Sequence, residues 1–339
     1  MHKILITGGA GFIGSNFIRY FINKHKDVEI VCLDSLTYAG NIDNLSDIMD
    51  NDRFIFIKGD ICSREMAAKA MKGCDGVIHF AAETHVDRSI VDADAFLRTN
   101  VLGTYNLLLE ADKNRVKRFV HISTDEVYGS IDEGLFTEES PIDPSSPYSS
   151  SKASSDLLAI SFHRTYSLPV IITRTCNNYG PYQYPEKVIP FFITNILEGK
   201  KVPLYGDGKN VREWIYVEDN CSAIDLIYHE GKVGEVYNIG SGFELENIQL
   251  TNLIINALGK DDSWIEYVKD RPGHDRRYAL DSTKIKNLGW KPRFSFEESI
   301  TKTIDWYKNN RLWWENIRQK KTEFQKFVEA YYSELKTGK

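Results

Sequence analysis

The chain lacks any run approaching the roughly 18 consecutive apolar residues that a membrane-spanning helix requires, which excludes that class of protein. Its N-terminus, MHKILITGG, enters a strand pattern at once without the apolar core of a signal peptide, so the cytoplasm is the expected compartment. Cysteine is scarce and odd in number: Cys32, Cys62, Cys74, Cys176 and Cys221 show no C-x-x-C spacing. That pattern argues against both a disulfide framework and a zinc site, and the thiols are expected to be reduced and mostly buried. The eight histidines include no H-E-x-x-H or comparable pair, so no metal is expected. Positive charge is short as well. Lys and Arg total 42 against 48 Asp and Glu, a net charge of -6, which removes the generic electrostatic case for nucleic acid or an anionic membrane as partner. A small anionic ligand remains possible where a few basic side chains converge. No internal repeat or low-complexity tract is visible.

What is present is an ordinary globular composition, 42% hydrophobic and 27% charged, over 339 residues. That length exceeds what one core usually serves and implies a large domain with an annex, or two domains. Short β-branched runs, KILIT (3–7), VEIVCLD (28–34), RFIFIKG (53–59), GVIHFAA (76–82), KRFVHIST (117–124) and PVIITRT (169–175), alternate with helical patterns at 12–25, 92–113 and 148–166. Near-continuous apolar strands joined by helices predict an α/β fold, a doubly wound parallel sheet covered on both faces, with ligands at the C-terminal ends of its strands. Beyond residue 176 the alternation loosens into loops rich in Pro, Gly and Tyr, with helices expected near 187–199, 218–230 and 247–258. The expected division is 1–176 as the sheet domain, with 211–240 returning to it, and 177–339 mainly as a smaller C-terminal substrate-binding domain. The tail from about 295, with Trp306, Trp313 and Trp314, reads as helices packed on the body, because charges interrupt every apolar run.

Directly after the first strand, TGGAGFIGS places Gly9, Gly11 and Gly14 as G-x-G-x-x-G, and Gly8, Gly11 and Gly14 as G-x-x-G-x-x-G. Glycines let the backbone turn tightly beneath a pyrophosphate, which meets the free N–H groups of the helix beginning at Phe12 and Ile13. Asp34 follows Gly14 by 20 residues at the end of the second strand, completing a dinucleotide fingerprint. Its carboxylate would accept from a ribose 2′-hydroxyl and repel a 2′-phosphate. With no arginine among Ser35, Leu36 and Thr37, the cofactor expected is NAD in a Rossmann domain. Asp60, Ile61, Phe80, Ala81 and Ala82, at the ends of the third and fourth strands, should line the adenine and ribose pockets; Thr99 and Asn177 join the expected cofactor contacts.

Tyr148 and Lys152 sit four apart at the start of a helix and so share one face. A tyrosine acting as a base near neutrality must drop by about three pKa units, roughly 4 kcal/mol, which an adjacent ammonium and a positive nicotinamide ring can supply.

TGGAGFIGS with Tyr148-x-x-x-Lys152 resembles the extended short-chain dehydrogenase/reductase family of nucleotide-sugar enzymes, and the resemblance spans essentially the whole chain. HISTDEVYG (121–129), AAETHVDRSI (81–90), TCNNYGPYQYPEK (175–187) and RPGHDRRYALD (271–281) are similar to its 4,6-dehydratase branch. The resemblance implies a hydro-lyase that oxidises a sugar at C4, eliminates water across C5–C6 and returns the hydride to C6, with dTDP-glucose as substrate and rhamnose synthesis as the commonest use. It implies Tyr148 as the C4-hydroxyl base, Lys152 as its modifier and ribose ligand, Thr124 as partner of the C4 oxygen, Glu126 as the C5 base and Asp125 as the C6 acid. Lys187, Arg212, Asn247 and Arg271 are expected near the substrate diphosphate, with Asn178 and His274 close by. Pro203 and Tyr205 would wall the nucleotide base, and Thr84 would reach the sugar. His85, Asp87 and Arg88 are expected to order their loop. The resemblance also implies a homodimer through the helices at 92–113 and 148–166, although Phe96, Leu97, Val101, Tyr105 and Leu108 could equally cover the parent sheet.

Rival readings stay open at this level. A 4-epimerase shares the glycine turn and the Tyr–Lys pair without needing Asp125 and Glu126; a UDP-sugar 4,6-dehydratase differs by acceptance of one methyl. A decarboxylase would want a cation where this chain has an acid and a base, and a GDP-mannose dehydratase usually favours NADP, against which Asp34 argues. A non-catalytic NAD sensor would not require Thr124, Tyr148 and Lys152.

Overall fold

The computed structural model describes residues 2–270 and 273–320. Its first half alternates β1 (His2–Thr7), α1 (Phe12–Lys24), β2 (Val28–Asp34), β3 (Phe54–Lys58), α2 (Arg64–Met71), β4 (Gly76–His79), α3 (Val86–Val91) and α4 (Asp94–Phe96). A π-helical stretch, Leu97–Gly103, then runs into α5 (Thr104–Lys113), followed by β5 (Arg118–Thr124), α6 (Pro147–Tyr166) and β6 (Val170–Thr175). Side-chain alternation explains the two-faced burial. Ile4 and Ile6 pack with Phe17, Ile18 and Phe21 of α1, while Leu5 between them packs on the opposite face with Leu107 and Leu108 of α5. Helix α6 starts where Ser146 accepts from the Ser149 N–H in a reciprocal cap with Pro147 at the first turn. It stops at Ser167, whose φ of 58° is left-handed.

The second half comprises β7 (Asn177–Tyr179), α7 (Val188–Leu197), β8 (Val202–Tyr205), β9 (Val211–Tyr216), α8 (Val217–Glu230), β10 (Val236–Ile239), β11 (Glu244–Glu246), α9 (Asn247–Ala257) and β12 (Ile265–Val268). It closes with α10 (Thr283–Asn287), α11 (Phe296–Asn309) and α12 (Arg311–Lys320). The large sheet is parallel throughout, in the order β10-β6-β5-β4-β1-β2-β3. This is the doubly wound order expected for a dinucleotide fold, with one strand added at its edge.

One part of the expected return to the sheet is corrected. Residues 211–216 form β9 in a separate sheet, parallel to β7 and antiparallel to β11. The chain leaves the large sheet after β6 and offers the edge of β7 to β9, while β10 takes the edge that β6 leaves open. Only Cys176 stands between β6 and β7. The remaining strands, β8 and β12, pair in parallel as a small ribbon.

The C-terminal tryptophans act as packing anchors. Trp314 is fully buried and donates from Nε1 to the Tyr307 carbonyl at 2.9 Å, and Trp313 Nε1 donates to Asn44 Oδ1 at 2.9 Å, tying α12 to the N-terminal part of the chain. Among the described residues, no helix is long and apolar enough to cross a membrane.

Candidate active site

The strand ends open onto one large cavity, lined on one side by the glycine turn and on the other by Thr124, Asp125, Glu126, Tyr148 and Lys152. Gly8 has a φ of 71°, and a Cβ there would stand 2.5 Å from the Ala81 nitrogen, so the turn after β1 can pass beside the end of β4 only with glycine. At Gly14 a Cβ would stand 2.3 Å from the Gly8 carbonyl oxygen, which is what lets α1 start so close to the strand. Gly11 precedes α1 without any side-chain cap, and no acidic residue occupies the first turn. Free N–H groups and the positive end of the helix therefore face the cavity, as a pyrophosphate requires.

Asp34 closes the cradle. Its Oδ2 accepts from the Ala10 N–H at 2.9 Å and its Oδ1 from the Leu36 N–H at 2.8 Å, which fixes the carboxylate at the cavity wall. Burial pushes this carboxyl above its usual range, with the two N–H bonds opposing. Phe12, Ile13, Ser35, Thr37, Asp60, Ile61, Phe80, Ala81, Ala82, Thr99 and Asn177 also line the cavity, whereas Leu36 stands behind Asp34. Thr99 is carried there by the π-helical stretch. Asn177 and Asn178 each leave a buried side-chain Oδ1 without a hydrogen-bond partner. A bound dinucleotide or sugar would supply donors there.

The reactive side chains come from two elements. At the end of β5, Thr124 Oγ1 donates to Asp125 Oδ1 at 3.1 Å and accepts from the Glu126 N–H at 3.3 Å, so the strand end is locked into a tight turn. Asp125 is 2% exposed, and its Oδ2 has no hydrogen-bond partner. Burial, then the nearby Glu126 and Glu213 carboxyls, pushes its pKa well above the carboxylate range and favours the protonated acid. From α6, Tyr148 and Lys152 face the same space. Burial and then Glu126 raise the Tyr148 phenol, while a hydrogen bond with Thr124 lowers it. Burial pulls the Lys152 ammonium down to about 8, opposed by the charge of Asp156. Its Nζ donates to the Ile122 carbonyl at 2.7 Å.

The substrate-side expectations divide. Thr84, Asn178 and Lys187 line the cavity, and Lys187 Nζ donates to the Thr84 carbonyl at 2.8 Å, drawing two loops together. Pro203, Tyr205, Arg212, Asn247 and His274 lie outside its lining, and Arg271 is outside the described residues. Pro203 is in β8 opposite Glu266; Asn247 opens α9; Tyr205 donates to Asp87 Oδ2 at 3.2 Å and meets the edge of His274, whose Nδ1 lies 2.6 Å from Asp270. Arg212 is buried, stacks 4.3 Å over the Tyr278 ring and donates to the Asp275 carbonyl, and its charge lowers the Asp125 pKa.

Several supporting contacts join residues far apart in the sequence. Asn100 accepts from the Glu83 N–H and donates to the Glu83 carbonyl and to Ser151 Oγ, pinning the β4 loop to α6 beside Lys152. Arg88 pairs with buried Glu186 and lies 4.2 Å over the Tyr38 ring, joining α3 to two loops. Asp156, behind Lys152, holds Arg174 at 2.9 Å and His121 at 3.3 Å.

Comparison with known proteins agrees with this geometry. Residues 5–303 match the family model described as GDP-mannose 4,6 dehydratase. The dTDP-glucose 4,6-dehydratase of Streptomyces niveus is 50% identical over 321 residues, covering 93% of this chain and 96% of that protein. The low-salt glycan biosynthesis protein Agl12 of Haloferax volcanii is 53% identical over 304 residues, 90% of this chain and 98% of its own. The crystal structure of DesIV, a dTDP-glucose 4,6-dehydratase from Streptomyces venezuelae with NAD and TYD bound, is similar with a TM-score of 0.92 and 52% identity, covering 93% of this chain and 99% of that one. Likeness of this extent, along nearly all of both chains, makes the protein a member of the GDP-mannose 4,6 dehydratase family, in its dTDP-glucose 4,6-dehydratase branch.

Proposed function

We propose that the protein converts dTDP-glucose to dTDP-4-keto-6-deoxy-glucose. The observation that carries this reading is the pair of carboxyls at the end of β5, buried Asp125 and half-buried Glu126, in the same cavity as Tyr148 and Lys152. An epimerase has no use for that pair. The cavity residues fit NAD, held by the glycine turn, the N-terminus of α1 and Asp34; when bound, it accepts a hydride from C4 and returns it to C6.

Tyr148 takes the proton of the C4 hydroxyl while Thr124 hydrogen-bonds the oxygen as it becomes a ketone. The ketone acidifies C5, and Glu126 removes that proton. Asp125 protonates the C6 hydroxyl, which leaves as water, and the C5–C6 double bond forms. After hydride returns to C6, a proton from Glu126 closes C5. Two neighbouring carboxyls serve as acid and base because their surroundings differ: Asp125 is buried and Glu126 half-buried. Thr84 borders the sugar in this reading, and Lys187, with Asn178 beside it, faces the diphosphate. Arg212 and Arg271 are assigned to the diphosphate, Asn247 and His274 stand beside it, and Pro203 and Tyr205 flank the base.

Leu97, Leu102, Tyr105, Leu157 and Tyr166 are exposed on the π-helical stretch, α5 and α6, whereas Phe96 and Leu108 are buried in the parent chain. This apolar surface supports a homodimer, which light scattering would test. The unpaired thiols suit a cytoplasmic enzyme.

The decisive experiment is mass spectrometry of dTDP-glucose, with UDP-glucose alongside, after incubation with protein and NAD in deuterated water. Loss of one water with deuterium at C5 is expected. The double variant Asp125→Asn, Glu126→Gln should oxidise C4 yet fail to dehydrate. A C4 epimer of unchanged composition, or wild-type dehydration by the double variant, would overturn the assignment.

A further inference from the structure

The C-terminal end of α1 and the last turns of α8 bring three potential metal ligands to one point. His25 Nε2 lies 2.8 Å from Asp225 Oδ1, and His229 Nδ1 lies 3.2 Å from the same oxygen. The three ligand atoms all fall within 4.8 Å of one another. None of these residues lines the catalytic cavity. We propose that His25, Asp225 and His229 form a binding site for a divalent transition-metal ion of the zinc type, which clips α1 to α8.

Three features of the surroundings carry the proposal. The carboxylate is 2% exposed, while the side chains of His25 and His229 are 20% and 40% exposed, so a buried anion is reachable through the two imidazoles. Lys24 Nζ binds the other oxygen, Oδ2, at 2.6 Å, which turns Oδ1 toward both rings in the way that outer partners orient metal ligands. The rings themselves are held: His25 and His229 stack at 4.7 Å, and each packs on the buried Phe21 ring, at 4.4 and 6.0 Å. Bonds of roughly 2.0–2.1 Å in a tetrahedral zinc site put neighbouring donors about 3.3 Å apart, close to the two nitrogen–oxygen separations of 2.8 and 3.2 Å found here. An ion there replaces the ring protons, including that on His229 Nδ1, which also lies 2.9 Å from the main-chain carbonyl of Asp225. Two imidazoles and one carboxylate select zinc, nickel or copper over calcium and magnesium, which take oxygen ligands. A water would complete the coordination.

No spacing along the chain announces the trio, because His25 and Asp225 are 200 residues apart; only Asp225 and His229, one helical turn apart on α8, are neighbours in sequence.

The test uses tag-free, chelator-treated enzyme with NAD bound, titrated with zinc chloride by calorimetry and with cobalt(II) by visible absorption. One equivalent should bind, the melting temperature should rise with zinc, and cobalt should give a ligand-field band. His25→Gln and His229→Gln should each weaken binding by at least about tenfold without altering dehydratase turnover. His229→Cys should restore cobalt absorption with an added thiolate band. Absence of stoichiometric binding to the wild type, or equal binding by both glutamine variants, overturns the site and leaves an ordinary ion-pair cluster.

Discussion

Lys152 Nζ donates to the main-chain carbonyl of Ile122 at 2.7 Å, two residues before Thr124 on the same strand. The ammonium is thereby fixed to the strand that leads into Asp125 and Glu126, so α6 and β5 hold Tyr148, Lys152 and these two carboxyls as one unit.

Because burial brings Lys152 down to about 8, its charge is lost as pH rises through that value, and kcat/KM should fall on an alkaline limb near it. Asp156 opposes the lowering, so Asp156→Asn should move the limb to lower pH. Rate profiles of the two proteins check this, and coincident limbs would remove Asp156 from the account.

Asp125→Asn should reduce turnover by about 10²–10⁴-fold while reduced nicotinamide still appears, because oxidation precedes elimination. The same change should stabilise the protein without ligand at neutral pH. The folded-state pKa of Asp125 is raised, so the folded protein holds a proton that the unfolded chain releases, and stability falls as pH rises from about 3.8 toward the raised value. Asparagine has no such slope. Thermal melts of both proteins across this pH window provide the measurement.

Asp34→Asn keeps the shape of the cradle but loses the anion that holds the Ala10 and Leu36 N–H groups and receives the ribose. A charged hydrogen bond contributes about 1.5–3 kcal/mol, so NAD affinity should fall on the order of 10- to 100-fold, with relaxed exclusion of NADP. Calorimetric titration with each dinucleotide would show it.

Gly14→Ala forces a methyl to within 2.3 Å of the Gly8 carbonyl oxygen. Backbone on both sides has nowhere to move, so a loss of about 1–3 kcal/mol is expected, together with weaker NAD binding. A variant that melts and binds like the wild type would show that the start of α1 is softer than its packing implies.

The parts of the molecule legible in the sequence are those whose signal is local. The glycine turn, Asp34 and the Tyr148–Lys152 pair depend on spacings within one strand–helix unit, and the structure brings them to one cavity. Strands 28–34 and 118–124 are apolar runs that need no partner to be recognised. Residues 211–216 also read as a strand, but their apolar pattern does not say which sheet has a free edge, and β7 supplies it. Asn100, Asp156 and the Arg88–Glu186 pair work across distances of 17 to 98 residues, where a single sequence offers no spacing to read.

Cys176 is the one residue between β6 of the large sheet and β7 of the three-stranded one, and the chain crosses again from β9 through α8 to β10 and from β10 to β11. A joint of one buried residue has two soft main-chain torsions and little length in which to take up movement. Thr175, on its near side, is paired with Thr124 across the β5–β6 ladder. A displacement of β7 therefore reaches, one strand spacing on, the strand end that carries Thr124, so the two sheets are coupled at the wall of the cavity.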